Sequence, residues 1–165
     1  MLIDCKAVFA GLEDELPFQY ELDLTQRAAF SDWEPAAPAV VSGKITNEAG
    51  IVSCALSVRF TLHLCCDRCA EPFERSFSFE GSAVLVTHLN GENAEDEYIL
   101  IPDAQFDADE FAESCILLNM PTKVLCSEDC KGVCPVCGAN LNVQTCSCQT
   151  KRVDPRLEAL RQLLE

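Results

Sequence analysis

Basic residues are scarce in this chain: 12 Lys and Arg stand against 27 Asp and Glu, for a net charge of −15. Non-specific grip on nucleic acid comes from neutralising phosphates with Lys and Arg. The balance therefore argues against broad electrostatic RNA binding by the whole chain and suits a basic protein partner better. Histidine is rarer still. His63 and His88 are the only two, and no motif sets either beside a Ser or Cys nucleophile. A phosphate-cradling Gly-rich loop and an HExxH pair are both missing, so no catalytic signature is legible. Long apolar runs are missing too. Cys115–Leu118 (CILL) falls far short of the ~20 residues that span a bilayer. The opening residues, MLIDCKAVFA, lack a charged segment, an apolar core and a small-residue cleavage site in that order. No signal peptide is expected, and the protein should be soluble and cytoplasmic.

Cysteine, by contrast, is abundant. Twelve cysteines in 165 residues would suggest disulfides in a secreted protein, but in a reducing compartment clustered pairs point to metal or redox chemistry. Cys5, Cys54 and Cys115 sit among apolar residues and read as small core side chains. The length suits one domain with a small appendage, and a hydrophobic content of 48% is enough for a core. We place a β-rich body with one helix at 1–121 and a cysteine-rich tail ending in a helix at 122–165. Charge divides along the same line. Residues 121–165 hold six basic and five acidic residues, so the first 120 carry −16.

Along the chain, residues 2–9 and 17–24 read as short strands, the second with Phe18, Tyr20, Leu22 and Leu24 alternating with polar residues. Residues 28–38 read as a loop broken by Pro35 and Pro38. Two strands, 39–46 and 51–64, flank the turn-like Asn47-Glu48-Ala49-Gly50. In the second strand Val52, Cys54, Leu56, Val58, Phe60, Leu62 and Leu64 take every even position, the pattern of an antiparallel sheet with one buried face. A further strand runs from Phe73 to about Val86, so Cys66 and Cys69 fall at a hairpin tip. Residues 90–97 form an acidic loop, and Tyr98–Ile101 read as another strand. Asp107 and Glu110 are spaced as a capping box. The helix they open carries Phe111, Cys115 and Leu118 at helical spacing, read as core, and stops at Pro121. A last helix starts at Asp154-Pro155.

Between 126 and 148 stand Cys126, Cys130, Cys134, Cys137, Cys146 and Cys148. This stretch has neither helical nor strand periodicity and needs something besides an apolar core to hold it. The piece CPVCG has the form of a zinc knuckle, in which a tight turn aims two thiolates at one point. Tetrahedral zinc takes four such ligands, usually as two pairs, and Cys134 with Cys137 and Cys146 with Cys148 supply them. Cys126 and Cys130 are then left over, as are Cys66 and Cys69. Joining them would make a second four-cysteine site and close a long chain loop. Any two of the three C-terminal pairs could share one metal, leaving the other for the hairpin, and whether one or two zinc ions bind stays open; Cys65 beside Cys66 adds an ambiguity of one residue, and the two-residue spacing to Cys69 favours Cys66. Cys66 and Cys69 also have the spacing of a redox pair, but such a pair follows a strand and opens a helix, whereas here it joins two strands.

The hairpin CDRCAEPF and the tail pieces LCSEDCKGVCPVCGANLN, CSC and DPRLEALRQLL resemble the YceD family (DUF177), the large ribosomal RNA subunit accumulation proteins. The resemblance covers most of the chain, although the first 50 residues add little. It implies a bacterial or plastid factor without enzymatic activity that supports accumulation of large-subunit ribosomal RNA. The reading is therefore an α+β protein: an antiparallel, barrel-like sheet, a packed helix and a zinc-stapled C-terminal extension. Its expected partner is ribosomal RNA, a pre-ribosomal particle or a basic ribosomal protein, with no membrane and no small-molecule substrate. Arg68, Lys131, Lys151, Arg152 and Arg156 are the candidate RNA or partner contacts. The rival readings are a thiol redox protein using Cys66 and Cys69, and a zinc-dependent protein-interaction adaptor.

Overall fold

The computed structural model describes residues 1–88 and 98–148. The acidic stretch 90–97 and the helix expected from Asp154 lie outside the described residues. The chain forms two compact units: Met1–Leu64 with Glu74–Thr122, and Cys65–Phe73 with Lys123–Glu165, of which 123–148 are described.

The first unit is built on β-strands. Strands β1 (Leu2–Asp4), β2 (Glu15–Leu22), β3 (Glu34–Pro35), β4 (Ala39–Glu48), β5 (Ile51–Cys65), β6 (Pro72–Val86), β7 (Tyr98–Leu100) and β8 (Gln105–Asp107) accompany two helices, α1 (Lys6–Phe9) and α2 (Ala108–Asn119). The main sheet runs β2-β4-β5-β6-β7 with β3 on β5, and β1 pairs with β8 separately. The sheet curls into a half-barrel, as right-handed twist makes long paired strands do. The β4–β5 hairpin is the clearest case of sequence dictating structure. Glu48 faces Ile51 across a two-residue turn. Ala49 and Gly50 both take positive φ (53° and 89°), which matches the strand twist, and the Asn47 carboxamide oxygen accepts the Gly50 N–H at 2.9 Å.

On β5 the even positions Val52 to Leu62 are all buried. They feed two apolar clusters. In one, Phe60 meets Trp33, Phe77 and Phe79 at centroid distances of 5.4–6.2 Å, with Ala112 and Ile116 of α2 in the same cluster. The other gathers Ile3, Val8, Ile45, Cys54, Leu85 and Phe106. Gly81 admits α2 to the sheet: a Cβ there would stand 2.2 Å from the Cys115 Sγ, so no larger residue fits without movement.

Three local expectations are corrected. The strand expected over 2–9 stops at Asp4, whose carboxylate accepts the Lys6 N–H at 3.0 Å; that Asx turn starts the single helical turn of α1. Tyr98–Leu100 is a strand, but it joins β6 in parallel. Helix α2 is capped as expected, the Asp107 carboxylate accepting from the Asp109 N–H at 3.0 Å. Its buried stripe, however, is Ala108, Ala112, Cys115 and Ile116, and Leu118 is 85% exposed. The spacing is helical; its phase is set by where the sheet lies. Among the described residues no helix is long and apolar enough to cross a membrane.

Candidate metal centres

Among its described residues the second unit has almost no apolar core. The cluster found there consists of Cys66, Cys69 and Cys130, with Phe73, Leu125 and Cys126 against them. Backbone bonding does much of the rest. The turn between β5 and β6 closes on itself, Ala70 N–H donating to the Cys66 carbonyl at 2.8 Å and Cys66 N–H to the Glu71 carbonyl at 3.0 Å. Residues 124–133 then dovetail with this turn. Asp67 N–H donates to the Val124 carbonyl (2.9 Å), and Val124 N–H to the Asp67 carboxylate (2.6 Å). Arg68 accepts the Val133 N–H on its carbonyl (3.1 Å) and donates from its guanidinium to the Cys130 carbonyl (2.9 Å). Gly132 takes φ +74°, and a Cβ there would press to 2.9 Å from the Arg68 carbonyl oxygen.

These bonds bring four thiols together. The sulfurs of Cys66, Cys69, Cys126 and Cys130 all lie within 4.8 Å of one another. Cys66 stands 3.7 Å from Cys130, and Cys69 stands 3.7 Å from Cys126. A disulfide requires about 2.05 Å, and all twelve cysteines are free. A tetrahedral ion with metal–sulfur bonds of about 2.3 Å would set its ligands roughly 3.8 Å apart, so the cavity has the size such an ion needs. Cys65 is exposed and stands outside the group.

The second group is local. Cys134, Cys137, Cys146 and Cys148 also have sulfurs within 4.8 Å of one another. Gly138, at φ +72°, donates its N–H to the Cys134 carbonyl (2.9 Å), and Cys134 N–H donates to the Ala139 carbonyl (2.8 Å). That is the turn read from CPVCG. A bridge between Val133 and Asn140 closes the knuckle. Cys134 is buried and Cys137 exposed.

In each group the surroundings favour thiolate at some sulfurs and oppose it at others. Backbone amides of Cys137 and Val136 bring Cys134 down to about 6. Burial opposes ionisation of Cys66, but amides of Cys126, Arg68 and Cys69 outweigh it and set that thiol at about 6. The Asn142 side-chain amide, donating to the Cys130 sulfur at 3.3 Å, leads in lowering Cys130. Their neighbours move the other way. Cys148 is raised to about 12, first by Cys137 and then by burial, because each thiolate resists a second one beside it. A cation would remove that conflict. Four soft sulfur donors at tetrahedral spacing suit zinc or iron, and both groups could hold a metal ion.

Of the candidate partner contacts, Arg68 is exposed yet bonded to Cys130, and Lys131 is exposed with its backbone N–H on Asn142. Lys151, Arg152 and Arg156 lie outside the described residues. His63 contacts Glu74 at 3.1 Å on a solvent-facing surface, and His88 is exposed. Asp67, Asn140 and Asn142 escaped the sequence reading. The Gly138-Ala139-Asn140-Leu141-Asn142 run marks a turn, and its two carboxamides are the groups able to bond backbone within it.

Residues 54–164 match the family described as large ribosomal RNA subunit accumulation protein YceD. A maize protein named chloroplastic large ribosomal RNA subunit accumulation protein YCED homolog 1 is 27% identical over 151 residues, covering 73% of this chain and 52% of its own. The chain thus spans about half the length of that curated relative. YlbN of Bacillus subtilis, named as uncharacterised, is 26% identical over 136 residues, covering 82% of this chain and 79% of its own. No solved structure matches.

Proposed function

The chain belongs to the family of large ribosomal RNA subunit accumulation proteins, and from that premise we propose that it is a non-enzymatic, zinc-dependent binding factor in large-subunit biogenesis. The carrying observation is the pair of four-thiol groups, which stand where the described residues of the second unit hold almost no apolar core. All eight cysteines serve as ligands: Cys66, Cys69, Cys126 and Cys130 for one zinc, Cys134, Cys137, Cys146 and Cys148 for the other. Zinc bound so supplies folding free energy rather than reactivity, since a site with four protein ligands keeps no open position. The buried thiols of Cys66 (3% exposed) and Cys69 (5%) favour this over a redox pair, which needs an accessible low-pKa thiol.

The partner is a precursor of the large ribosomal subunit in the cytoplasm. The near-neutral C-terminal segment meets RNA, and the acidic body meets basic ribosomal protein. Sedimentation with precursor particles tests this. The protein should travel with large-subunit precursors and leave them when both metals are stripped. Sedimentation at the top of the gradient with zinc fully bound would contradict it.

A further inference from the structure

One side chain from the knuckle segment touches the other thiol group. Asn142 lies in the chain between Cys137 and Cys146, on the segment that closes the knuckle, yet its amide nitrogen stands 3.3 Å from the sulfur of Cys130 in the other group. The orientation of that carboxamide is determined. Lys131 donates its backbone N–H to the Asn142 Oδ1 at 2.7 Å, a bond only the oxygen can accept, so the NH₂ must face the sulfur. Asn140 holds the arrangement from below. Its Oδ1 accepts both the backbone N–H (2.9 Å) and the side-chain amide (3.0 Å) of Asn142, and its own amide reaches the Glu71 carboxylate at 3.0 Å. The position of Asn142 thus depends on the Val133–Asn140 bridge and on Leu141 N–H donating to the Gly132 carbonyl at 2.9 Å, both features of a closed knuckle.

We infer that Asn142 couples the two centres: with the knuckle closed on its metal, the Asn142 amide donates to the Cys130 thiolate, so that filling either centre strengthens the other. The inference rests on the metal reading above. A hydrogen bond to an ionised acceptor is among the stronger ones, and loss of an outer-shell partner typically weakens metal binding about 10- to 100-fold. Without its metal the knuckle lacks what holds Cys134 and Cys137 against Cys146 and Cys148, and Asn142 loses its fixed place. Because binding couplings are reciprocal, metal in the Cys66 group raises the affinity of the knuckle by the same factor.

The experiment is site-resolved thiol alkylation of the full chain across a graded zinc buffer, with zinc per chain measured alongside. Protection of Cys66, Cys69, Cys126 and Cys130 reports the first centre alone. Asn142→Asp keeps an oxygen for the Lys131 N–H and removes the amide that donates to the Cys130 sulfur and to the Asn140 oxygen; the double variant with Cys137→Ser separates the coupling from the lost loop bond, because a purely structural loss would multiply with it. The zinc concentration that half-protects the first centre should rise about tenfold in Asn142→Asp, similarly in Cys137→Ser, and no further in the double variant. Wild-type protection in Asn142→Asp, or losses that multiply in the double variant, would overturn the coupling. A wild-type chain that carries no zinc and alkylates alike with and without it would instead overturn the metal reading itself.

Discussion

Cys5, Cys54 and Cys115 illustrate how little a residue type says without its surroundings. All three are buried in the body, and burial pushes each thiol up. Cys54, with Cys5 and Cys115 adding repulsion, reaches about 12 from an ordinary value of 9.0. In the unfolded chain these thiols ionise near their ordinary value, so between pH 9 and 12 the folded state holds more protons. Stability must then fall as pH rises through that window, and be fully present below it. Denaturant midpoints followed by Trp33, the one tryptophan and part of the Phe60 cluster, should drop between pH 8 and pH 10. Cys54→Val should flatten the drop. A wild-type midpoint unchanged across that interval would contradict the account.

Gly81 is the residue whose role the sequence conceals most. A lone glycine inside a strand pattern reads as a weak point; here it is the place where α2 meets β6. Gly81→Ala should cost about 1–3 kcal/mol by overpacking, and Cys115→Ala in the same chain should return part of it, since the obstructing atom is the Cys115 sulfur. Equilibrium unfolding of the two single variants and the double one measures this; strict additivity would show that this close approach is not the cause.

Among the elements, those with strong local patterning were legible in the sequence. The alternation of β5, the turn at Ala49-Gly50 and the Asp107 cap each depend on residues within a few positions of one another. What was not legible depends on distant chain. The parallel pairing of β7 with β6 and the rotation of the α2 stripe away from Leu118 are decided by which surface lies alongside. The thiol groups show the same division. CPVCG announced its turn, whereas spacing left three ways to combine the remaining pairs, because nothing local says that Cys66 folds beside Cys130, 64 residues away. Metal in both groups should hold the whole of 123–148. Chelation should therefore raise amide exchange across that segment and the 65–73 turn by orders of magnitude, while the buried positions of β4 and β5 keep their protection. Equal protection of 123–148 with and without metal would refute it.

For the molecule as a whole, charge is the remaining guide. A body with a −16 balance repels phosphate, and few cations are available to offset it. Reversing Lys151 and Arg152 to Glu should weaken association with precursor particles more than reversing two acids within 92–97. It should also make binding less salt-dependent, by roughly 0.7 to 0.9 in log–log slope for each phosphate no longer neutralised. If the Lys151/Arg152 variant sediments like wild type while loss of the acids abolishes association, the direct partner is a basic protein.

On the proposed reading, eight cysteines from three stretches of chain form two zinc centres in a unit whose described residues hold almost no apolar core. Counting zinc per chain in freshly purified protein and in single Ser variants tests it most directly. Two equivalents are predicted in the wild type. Cys66→Ser and Cys126→Ser should each lose the same single equivalent, and the pair together no more than either alone. A full complement of zinc in Cys66→Ser would contradict the claim.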